Sequence, residues 1–175
     1  MDMKKAGDLM ISLDKYPHIP YWFTLRQAMA EMEHAEFEIN GSTCPCRVLL
    51  VFDEKYQLLG TVRRRDILRG LEPGFLSNLV LEQRKQFFDA KTDRQAADAG
   101  IGKLKHGILE RAQRPVSDIM RIIKSTVQYD DHIIRVVYEM VDSNVSVIPV
   151  IRDGRVVGAI RSEDVFHEVA RFMLE

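Results

Sequence analysis

Two arginine–aspartate pairs in this sequence have residue types and a spacing that suit the binding of an anion. Arg63 precedes Asp66 by the same interval as Arg161 precedes Asp164, and 161 − 63 and 164 − 66 both equal 98. A guanidinium can donate two parallel hydrogen bonds to a phosphate, and a carboxylate can accept two hydrogen bonds at once. In the alternative interpretation, Asp66 and Asp164 cap helices or lie in their first turns, and both arginines are solvated.

The arginine of the first pair begins a run of three cations. Arg63-Arg64-Arg65 lies at a predicted helix start, where the helix dipole disfavours positive charge. This placement is easier to explain if an anion binds among the three side chains. A phosphate site near Arg63 is therefore one hypothesis for the run, and a solvated basic surface is the other.

A second candidate for chemistry is the segment Cys44-Pro45-Cys46, which contains the only cysteines of the chain. A zinc site needs three or four ligands, usually with Cys or His paired at short spacing. No second pair exists, because the histidines are scattered at His18, His34, His106, His132 and His167. Two cysteines around one proline would also close a very tight disulfide ring. We therefore predict no metal site and two reduced cysteines on a loop.

Length and composition exclude several classes of protein. A chain of 175 residues forms one domain or two very small ones, and it can bury a core without a disulfide or a metal. The net charge of −1 gives no global attraction to nucleic acid or to an anionic membrane. A local basic patch could escape that argument, but the near-neutral total argues against nucleic-acid binding. No apolar run approaches the ~20 residues of a membrane span and no apolar segment follows Met1–Lys5, so we expect a cytosolic protein.

The motifs of common enzyme classes are missing from the sequence. It contains no glycine-rich phosphate loop, no Gly-x-Ser-x-Gly and no His-Glu-x-x-His. Residues that could form a nucleophile and its base do not cluster either. We therefore predict a protein that is not an enzyme.

The chain contains an internal repeat, which sets its predicted organisation. Tyr21–Met32 aligns with Tyr129–Met140, and both segments carry apolar residues at the i, i+3, i+4, i+7 spacing of one helix face. Thr24, with Gln27 three residues later, predicts the start of the first helix. In the second copy, Asp153-Gly154 between two apolar runs predicts a hairpin. Each copy is predicted as strand, helix, two strands and helix, with the helices at Thr24–Phe37, Arg65–Leu71, Asp131–Asp142 and Ser162–Leu174.

Two segments interrupt the repetition. Met32 to Val51 is 19 positions and Met140 to Val150 is 10, so the first copy has nine extra residues, which we assign to a loop at 38–46. The second interruption is 73–114, predicted as two helical pieces with a loose middle because several glycines weaken a single long helix. The predicted organisation is a first repeat at 1–72, a helical insertion at 73–114 and a second repeat at 115–175.

The repeated motifs resemble those of a tandem pair of cystathionine-β-synthase (CBS) domains, often called a Bateman module. The second copy carries the family's motifs in order: Asp118-Ile119-Met120, Ile148-Pro149-Val150, Asp153-Gly154, Val157-Gly158-Ala159-Ile160 and Ser162-Glu163-Asp164. The first copy fits less closely, with Asp8-Leu9-Met10, Leu49-Leu50-Val51 and Leu59-Gly60-Thr61-Val62. The resemblance implies a mixed fold, α+β or α/β, in which two pseudo-symmetric CBS repeats pack as one module with a helical insertion.

The resemblance also implies a function. CBS pairs commonly bind adenine nucleotides in the clefts between repeats, do no chemistry on them, associate as dimers and regulate an attached or partner protein. It implies that this chain is a homodimer that senses AMP, ADP or ATP in those clefts and signals to an unidentified protein by changing its dimer packing. No cofactor beyond that regulatory ligand is required. The alternative is a ligand-free interaction scaffold of the same fold, in which the arginines hold carboxylates of a partner.

The resemblance carries over specific site residues. In the second copy they are Ser125, Thr126, Val147, Ile148, Pro149, Arg161 and Asp164, and in the first copy Leu49, Leu50, Arg63 and Asp66. The apolar residues would line the base, Ser125 and Thr126 would lie near the base or the sugar, and each aspartate would bind the ribose hydroxyls. Each arginine replaces the family's Thr or Ser and would bind phosphate, and the alternative for Arg161 is that it fills the cleft when no ligand is bound. We expect the second copy to supply the better base slot and the first copy the better phosphate site.

Overall fold

The computed structural model of the chain describes residues 4–39, 42–72, 74 and 94–174. Two four-stranded sheets organise these residues. The strands are β1 (Ile11–Ser12), β2 (His18–Pro20), β3 (Glu36–Ile39), β4 (Ser42–Pro45), β5 (Val48–Phe52), β6 (Leu58–Arg63), β7 (Arg121–Ile122), β8 (Val127–Gln128), β9 (Val147–Arg152) and β10 (Arg155–Arg161). The helices are α1 (Ala6–Leu9), α2 (Leu25–His34), α3 (Arg64–Leu71), α4 (Arg94–Arg111), α5 (Ile133–Asp142) and α6 (Ser162–Leu174), with a short 3₁₀ helix at Val116–Asp118.

The two sheets are built in the same way, as the sequence repeat predicts. In the first sheet, with the order β2-β5-β6-β7, β2 runs parallel to β5 and β5 runs antiparallel to β6. In the second sheet, with the order β1-β10-β9-β8, β8 runs parallel to β9 and β9 antiparallel to β10. The predicted mixed fold of two pseudo-symmetric halves is therefore confirmed.

Each sheet is completed by a strand from the other repeat. The N-terminal strand β1 pairs antiparallel with β10 in the second sheet, and β7 pairs antiparallel with β6 in the first. Two glycines permit this close approach. A Cβ on Gly60 would lie 2.4 Å from the carbonyl oxygen of Arg121, and a Cβ on Gly158 would lie 2.4 Å from that of Ile11. The segments 1–72 and 115–175 therefore each contribute to both sheets.

The first helix of the repeat begins where the sequence predicts and ends earlier. The Thr24 hydroxyl accepts the backbone N–H of Gln27 at 3.2 Å, and the Gln27 side-chain oxygen accepts the backbone N–H of Thr24 at 2.9 Å. This reciprocal capping box fixes the start of α2. The helix stops at His34, not at Phe37, because residues from Glu36 onward pair as a strand.

The extra segment of the first repeat is a hairpin and not the expected loop. Strand β3 pairs antiparallel with β4, and Phe37 lies opposite Cys44. Phe37 and Cys46 are buried in the main hydrophobic cluster. Backbone pairing together with the burial of Phe37 therefore orders a segment whose Cys-Pro-Cys composition indicates a loop.

The described part of the insertion is one helix that packs against the first repeat. Helix α4 continues through the glycines that the sequence analysis took as weak points, and it contacts α3. At the end of the insertion, the carbonyl oxygens of Ala112 and Arg114 accept the backbone N–H groups of Arg26 and Leu25 at 3.0 and 2.9 Å. The first of the two predicted helical pieces lies outside the described residues.

The two close-approach glycines generate a stability prediction. We expect Gly158→Ala to lower the free energy of unfolding by about 1–3 kcal/mol, because its methyl group would overlap the Ile11 carbonyl oxygen and push β1 away from β10. The matched control is Gly102→Ala on α4, where an added Cβ would meet nothing within 4 Å. That variant should gain up to about 1 kcal/mol from helix propensity. Urea unfolding of both variants makes the measurement, and equal changes would contradict the strand-crossing argument.

Candidate functional site

An open cleft of about 390 Å³ lies where the first sheet meets the loop between α5 and β9. Its walls come from β5 and β6, from the segment 120–125 that contains β7, and from residues 143–147 with Pro149. The first wall belongs to the first repeat, and the other two belong to the second. A ligand in this cleft would therefore contact both repeats at once.

A buried carboxylate organises the cationic end of the cleft. Asp66 is only 3% exposed. Arg63 donates from Nε to its Oδ2 at 2.9 Å, from Nη2 to its Oδ1 at 3.0 Å, and from the backbone N–H to Oδ2 at 3.1 Å. Arg121, on the exchanged strand β7, donates from Nε to Oδ1 at 3.2 Å. Both arginines line the cleft, while Asp66 lies behind them.

These contacts keep Asp66 ionised beside two charged arginines. Burial by itself would raise the pKa of Asp66, but the hydrogen bonds from Arg63 and Arg121 outweigh it and lower the pKa to about 2. The hydrogen bond to Asp66 in turn raises the pKa of Arg63 above its usual value. One carboxylate and two guanidiniums leave one excess positive charge, and Lys124 adds a further cation to the cleft wall. Asp66 also accepts the N–H at the start of α3, so the first-turn role of the alternative interpretation applies to it.

The remainder of the cleft combines apolar side chains with hydroxyl groups. Val48, Val147 and Pro149 form an apolar surface where β5 and β9 reach the cleft. Ser125 lines the same cleft, and its hydroxyl donates to Glu139 Oε2 at 2.5 Å. An apolar slot next to a cationic end suits a ligand that has a flat apolar ring and an anionic group.

In the other half of the molecule, the position that corresponds to the open cleft by pseudo-symmetry is filled by side chains. Tyr16, which precedes β2, and Phe37, on β3, have ring centroids 5.3 Å apart. The Tyr16 hydroxyl donates to the carbonyl oxygen of Val48 at 2.9 Å, and burial raises the pKa of Tyr16 well above its usual value. Both rings belong to one buried cluster with Cys46, Val48 and Val147. The extra hairpin of the first repeat and the chain before β2 therefore occupy the space that the repeat symmetry would leave open.

The second arginine–aspartate pair closes this filled position. Arg161 donates from Nε and Nη2 to the two carboxylate oxygens of Asp164 at 2.8 and 2.7 Å. The guanidinium lies over the Phe37 ring, 4.8 Å from its centroid. The hydrogen bonds to Asp164 raise the pKa of Arg161, so the guanidinium stays charged. Neither residue lines the open cleft or the groove beside it.

The other predicted site residues separate into three groups. Arg63, Ser125, Val147 and Pro149 line the open cleft. Thr126 instead lines a neighbouring groove of about 870 Å³ between the β5–β6 and β9–β10 turns. Three side chains that the resemblance assigns to the base slot are instead fully buried in the core, namely Leu49, Leu50 and Ile148. They lie on strands that are covered on both faces, so the structure gives them a packing role and brings only part of the predicted set together. The assignment of a ligand site stays a prediction.

Sequence reasoning missed several residues of the open cleft, among them Arg121, Lys124 and Asn144. The residues around Arg121 in the sequence do not indicate a site, because only the strand exchange brings Arg121 to Asp66. The sequence around Asn144 signals only a helix end, and the residue follows the last turn of α5 with a φ of 51°. Asparagine is one of the few residues that commonly adopt this left-handed conformation after a helix.

The cysteines do not form a metal site with other described groups. Within the ranges that the structure describes, no three His, Cys, Asp or Glu side chains are arranged to hold a metal ion. Both cysteines are free thiols. Burial raises the pKa of Cys46 to about 11, and its thiol donates to the carbonyl oxygen of Val48 at 3.3 Å. Cys44 lies half-buried on β4, and not on a loop as expected.

Comparison with known proteins agrees with this architecture. Residues 116–171 match the family model of the CBS domain. The chain contains a CBS domain. No curated protein matches the sequence. None of the helices in the described part of the chain has the length and hydropathy that a membrane crossing demands.

Solved structures extend the likeness over nearly the whole chain. A CBS domain of a membrane protein from Sphaerobacter thermophilus shares 20% identity with a TM-score of 0.63, over 94% of this chain and 87% of that one. A putative acetoin utilization protein from Vibrio cholerae shares 18% identity with a TM-score of 0.61, over 99% and 94% of the two chains. CBSX2 in complex with AMP shares 15% identity with a TM-score of 0.60, over 97% and 98%. The predicted resemblance to a tandem CBS pair is therefore confirmed at the level of the fold.

The lowered pKa of Asp66 generates a pH prediction. Its folded pKa of about 2 lies below the unfolded value of about 3.9, so the ionised carboxylate stabilises the fold above pH 4 and loses that contribution as the pH falls through 2. We expect Asp66→Asn to lower the free energy of unfolding by about 2 kcal/mol at pH 7. The difference from the parent chain should shrink between pH 4 and pH 2.

The control for this measurement is Asp118→Asn, whose carboxylate pairs with Arg114 at the surface. Exposed pairs contribute at most about 1 kcal/mol, so this variant should differ little from the parent chain at any pH. Urea unfolding from pH 7 to pH 2 gives both curves. A pH-independent loss in Asp66→Asn would contradict the charge argument.

Proposed function

We propose that this CBS pair is a non-enzymatic regulatory module that binds an adenine nucleotide in the open cleft. The observation that carries the proposal is the pairing of an apolar slot with two guanidiniums and a lysine in one cleft. Its volume lies within the range of about 300–1,000 Å³ typical of small-molecule sites. The structure of CBSX2 in complex with AMP supports the same ligand class.

The signal would arise because the cleft joins the two repeats. Arg63 belongs to the first repeat, whereas Ser125 and Val147 belong to the second. A nucleotide that contacts both would stabilise one relative packing of the repeats over others, in proportion to its differential affinity for the two arrangements. A regulated partner, whose identity is unknown, would respond to that packing.

The filled pseudo-symmetric position limits the stoichiometry. Tyr16 and Phe37 are buried against each other, and Arg161 covers Phe37. A second nucleotide would have to displace both rings from the core. We therefore propose one nucleotide per chain.

Titration calorimetry with AMP, ADP, ATP and adenosine tests this function. We expect one site per chain, and we expect Lys124→Ala to weaken the phosphorylated ligands by about tenfold and adenosine little, because Lys124 offers a charge to phosphate. The matched control is Lys105→Ala on α4, an exposed lysine outside this cleft, which should leave all affinities unchanged. If none of these ligands binds to the folded parent chain, the nucleotide proposal fails and the scaffold alternative stands.

We also propose that the module is a homodimer that associates through the helices of the second repeat. Helices α5 and α6 expose large apolar side chains that nothing in the described chain covers, namely Ile134, Tyr138, Val141, Phe166 and Met173. In the first repeat, α4 packs against α3. The second repeat therefore offers the larger uncovered helical face, and a two-fold contact is the commonest way to bury such a face.

Analytical ultracentrifugation tests the dimer. We expect the parent chain to sediment as a dimer and Phe166→Asp to sediment as a monomer, because the variant places a charge in the apolar contact. Leu68→Asp on α3 is the control, since Leu68 is 65% exposed but lies on the helix that α4 contacts. It should remain dimeric. A monomeric parent chain at micromolar concentration would overturn this arrangement.

A further inference from the structure

We propose that the open cleft recognises its nucleotide through phosphate and leaves the ribose hydroxyls without a carboxylate partner. Asp66, which the resemblance assigns to the ribose, is a positioning residue in this proposal: it holds Arg63 and Arg121 as a phosphate clamp. The inference rests on the proposed nucleotide function. The inference specifies which part of the nucleotide the cleft binds.

The hydrogen-bond capacity of Asp66 carries the argument. An ionised carboxylate has about four lone-pair positions, two on each oxygen. Oδ2 accepts the backbone N–H and the Nε–H of Arg63, and Oδ1 accepts Nη2–H of Arg63 and Nε–H of Arg121. Every position is therefore used by the protein. A ribose hydroxyl could reach this carboxylate only by displacing a charge-assisted bond that the protein already makes.

The burial of the carboxylate leads to the same conclusion. Asp66 is 3% exposed and does not line the cleft, whereas Arg63 and Arg121 both line it. A ligand that enters therefore meets guanidinium N–H groups first. The shared carboxylate restricts both guanidiniums, which lowers the entropy lost when they bind an anion.

The charges of the surrounding residues favour a phosphate over a neutral or cationic group. Arg63, Arg121 and Lys124 are cationic, and none of the described residues that line the cleft is acidic. The one acid in contact with the arginines, Asp66, compensates only one of their charges. A phosphate group matches the two-pronged donors of guanidinium better than a hydroxyl does. The ligand class is thus a 5′-phosphorylated nucleotide in which the 2′ and 3′ substituents contribute little.

A thermodynamic cycle between the ligand and Asp66 tests the inference. Calorimetry compares AMP with 2′,3′-dideoxy-AMP, each on the parent chain and on Asp66→Asn, with a thermal melt at pH 7 to verify folding of the variant. We expect the two ligands to bind the parent chain within about threefold of each other. We also expect Asp66→Asn to change both affinities by the same factor. A loss of tenfold or more that is confined to AMP would show a carboxylate–ribose bond and overturn the proposal.

A second variant keeps the proposal testable if Asp66→Asn does not fold. We expect Arg121→Ala to weaken AMP and dideoxy-AMP alike by about tenfold or more, and to leave adenosine within about threefold. The control is Arg65→Ala, an exposed arginine of the same basic run that lines neither the cleft nor the adjacent groove. Unchanged AMP affinity in Arg121→Ala would overturn the phosphate clamp. If the parent chain binds AMP but the variants do not behave as expected, the phosphate clamp is overturned and the proposed function survives. If the parent chain binds neither AMP nor dideoxy-AMP, the proposed function itself fails.

Discussion

The exchange of short strands between the repeats is the constraint on which the rest of the structure depends. Strand β1 pairs with β10, and β7 pairs with β6, so each sheet has an edge strand from the other repeat. The same relation continues at the helix starts, where Lys5 bridges to His132 and Pro115 bridges to Thr24. Because the backbones approach closely at these crossings, residues with a Cβ are excluded at Gly60 and Gly158. Neither repeat therefore completes its sheet alone.

The candidate site is a direct product of this exchange. Strand β7 carries Arg121 into the first sheet, next to Thr61, and there the guanidinium reaches Asp66 at the start of α3. The carboxylate has little access to water, so its charge must be balanced by partners from the protein, and two arginines meet that need. Their remaining donors face a cleft whose other wall comes from the loop before β9. The contacts that balance the buried charge of Asp66 therefore also place cationic groups on the wall of the cleft.

The two halves of the pair share a fold but differ in what their equivalent positions can bind. In one half the cleft is open. In the other, the β3–β4 hairpin and the chain before β2 bring Phe37 and Tyr16 into the core, and Arg161 lies over the Phe37 ring. Arg161 and Asp164 satisfy each other there with two short hydrogen bonds. The two halves therefore share the packing of their strands and helices, while Phe37 of the hairpin and Tyr16 before β2 remove the symmetry of the clefts.

Local patterns in the sequence determined the repeat, the order of its elements and the positions of several turns. Periodic apolar residues identify α2 and α5, the Thr24–Gln27 pair sets a helix start, and Asp153-Gly154 sets a turn whose two residues have φ values of 51° and 74°. These features depend on neighbours within a few residues, which is why they can be predicted from the sequence. The presence of Arg63 and Asp66 at one helix start is local in the same way.

The tertiary structure alone decided which residues share a site. Arg121 is 55 positions from Asp66 along the chain, and only the strand exchange joins them. The burial of Leu49, Leu50 and Ile148 follows from layers that cover both faces of their strands, and the apolar pattern of a strand does not report how many faces are covered. The closure of the second cleft depends on where Phe37 packs, which the loop-like composition of its hairpin conceals. Contacts between distant segments therefore set the charge, the openness and the number of the clefts, because each of these properties belongs to the assembled surface and to no single segment.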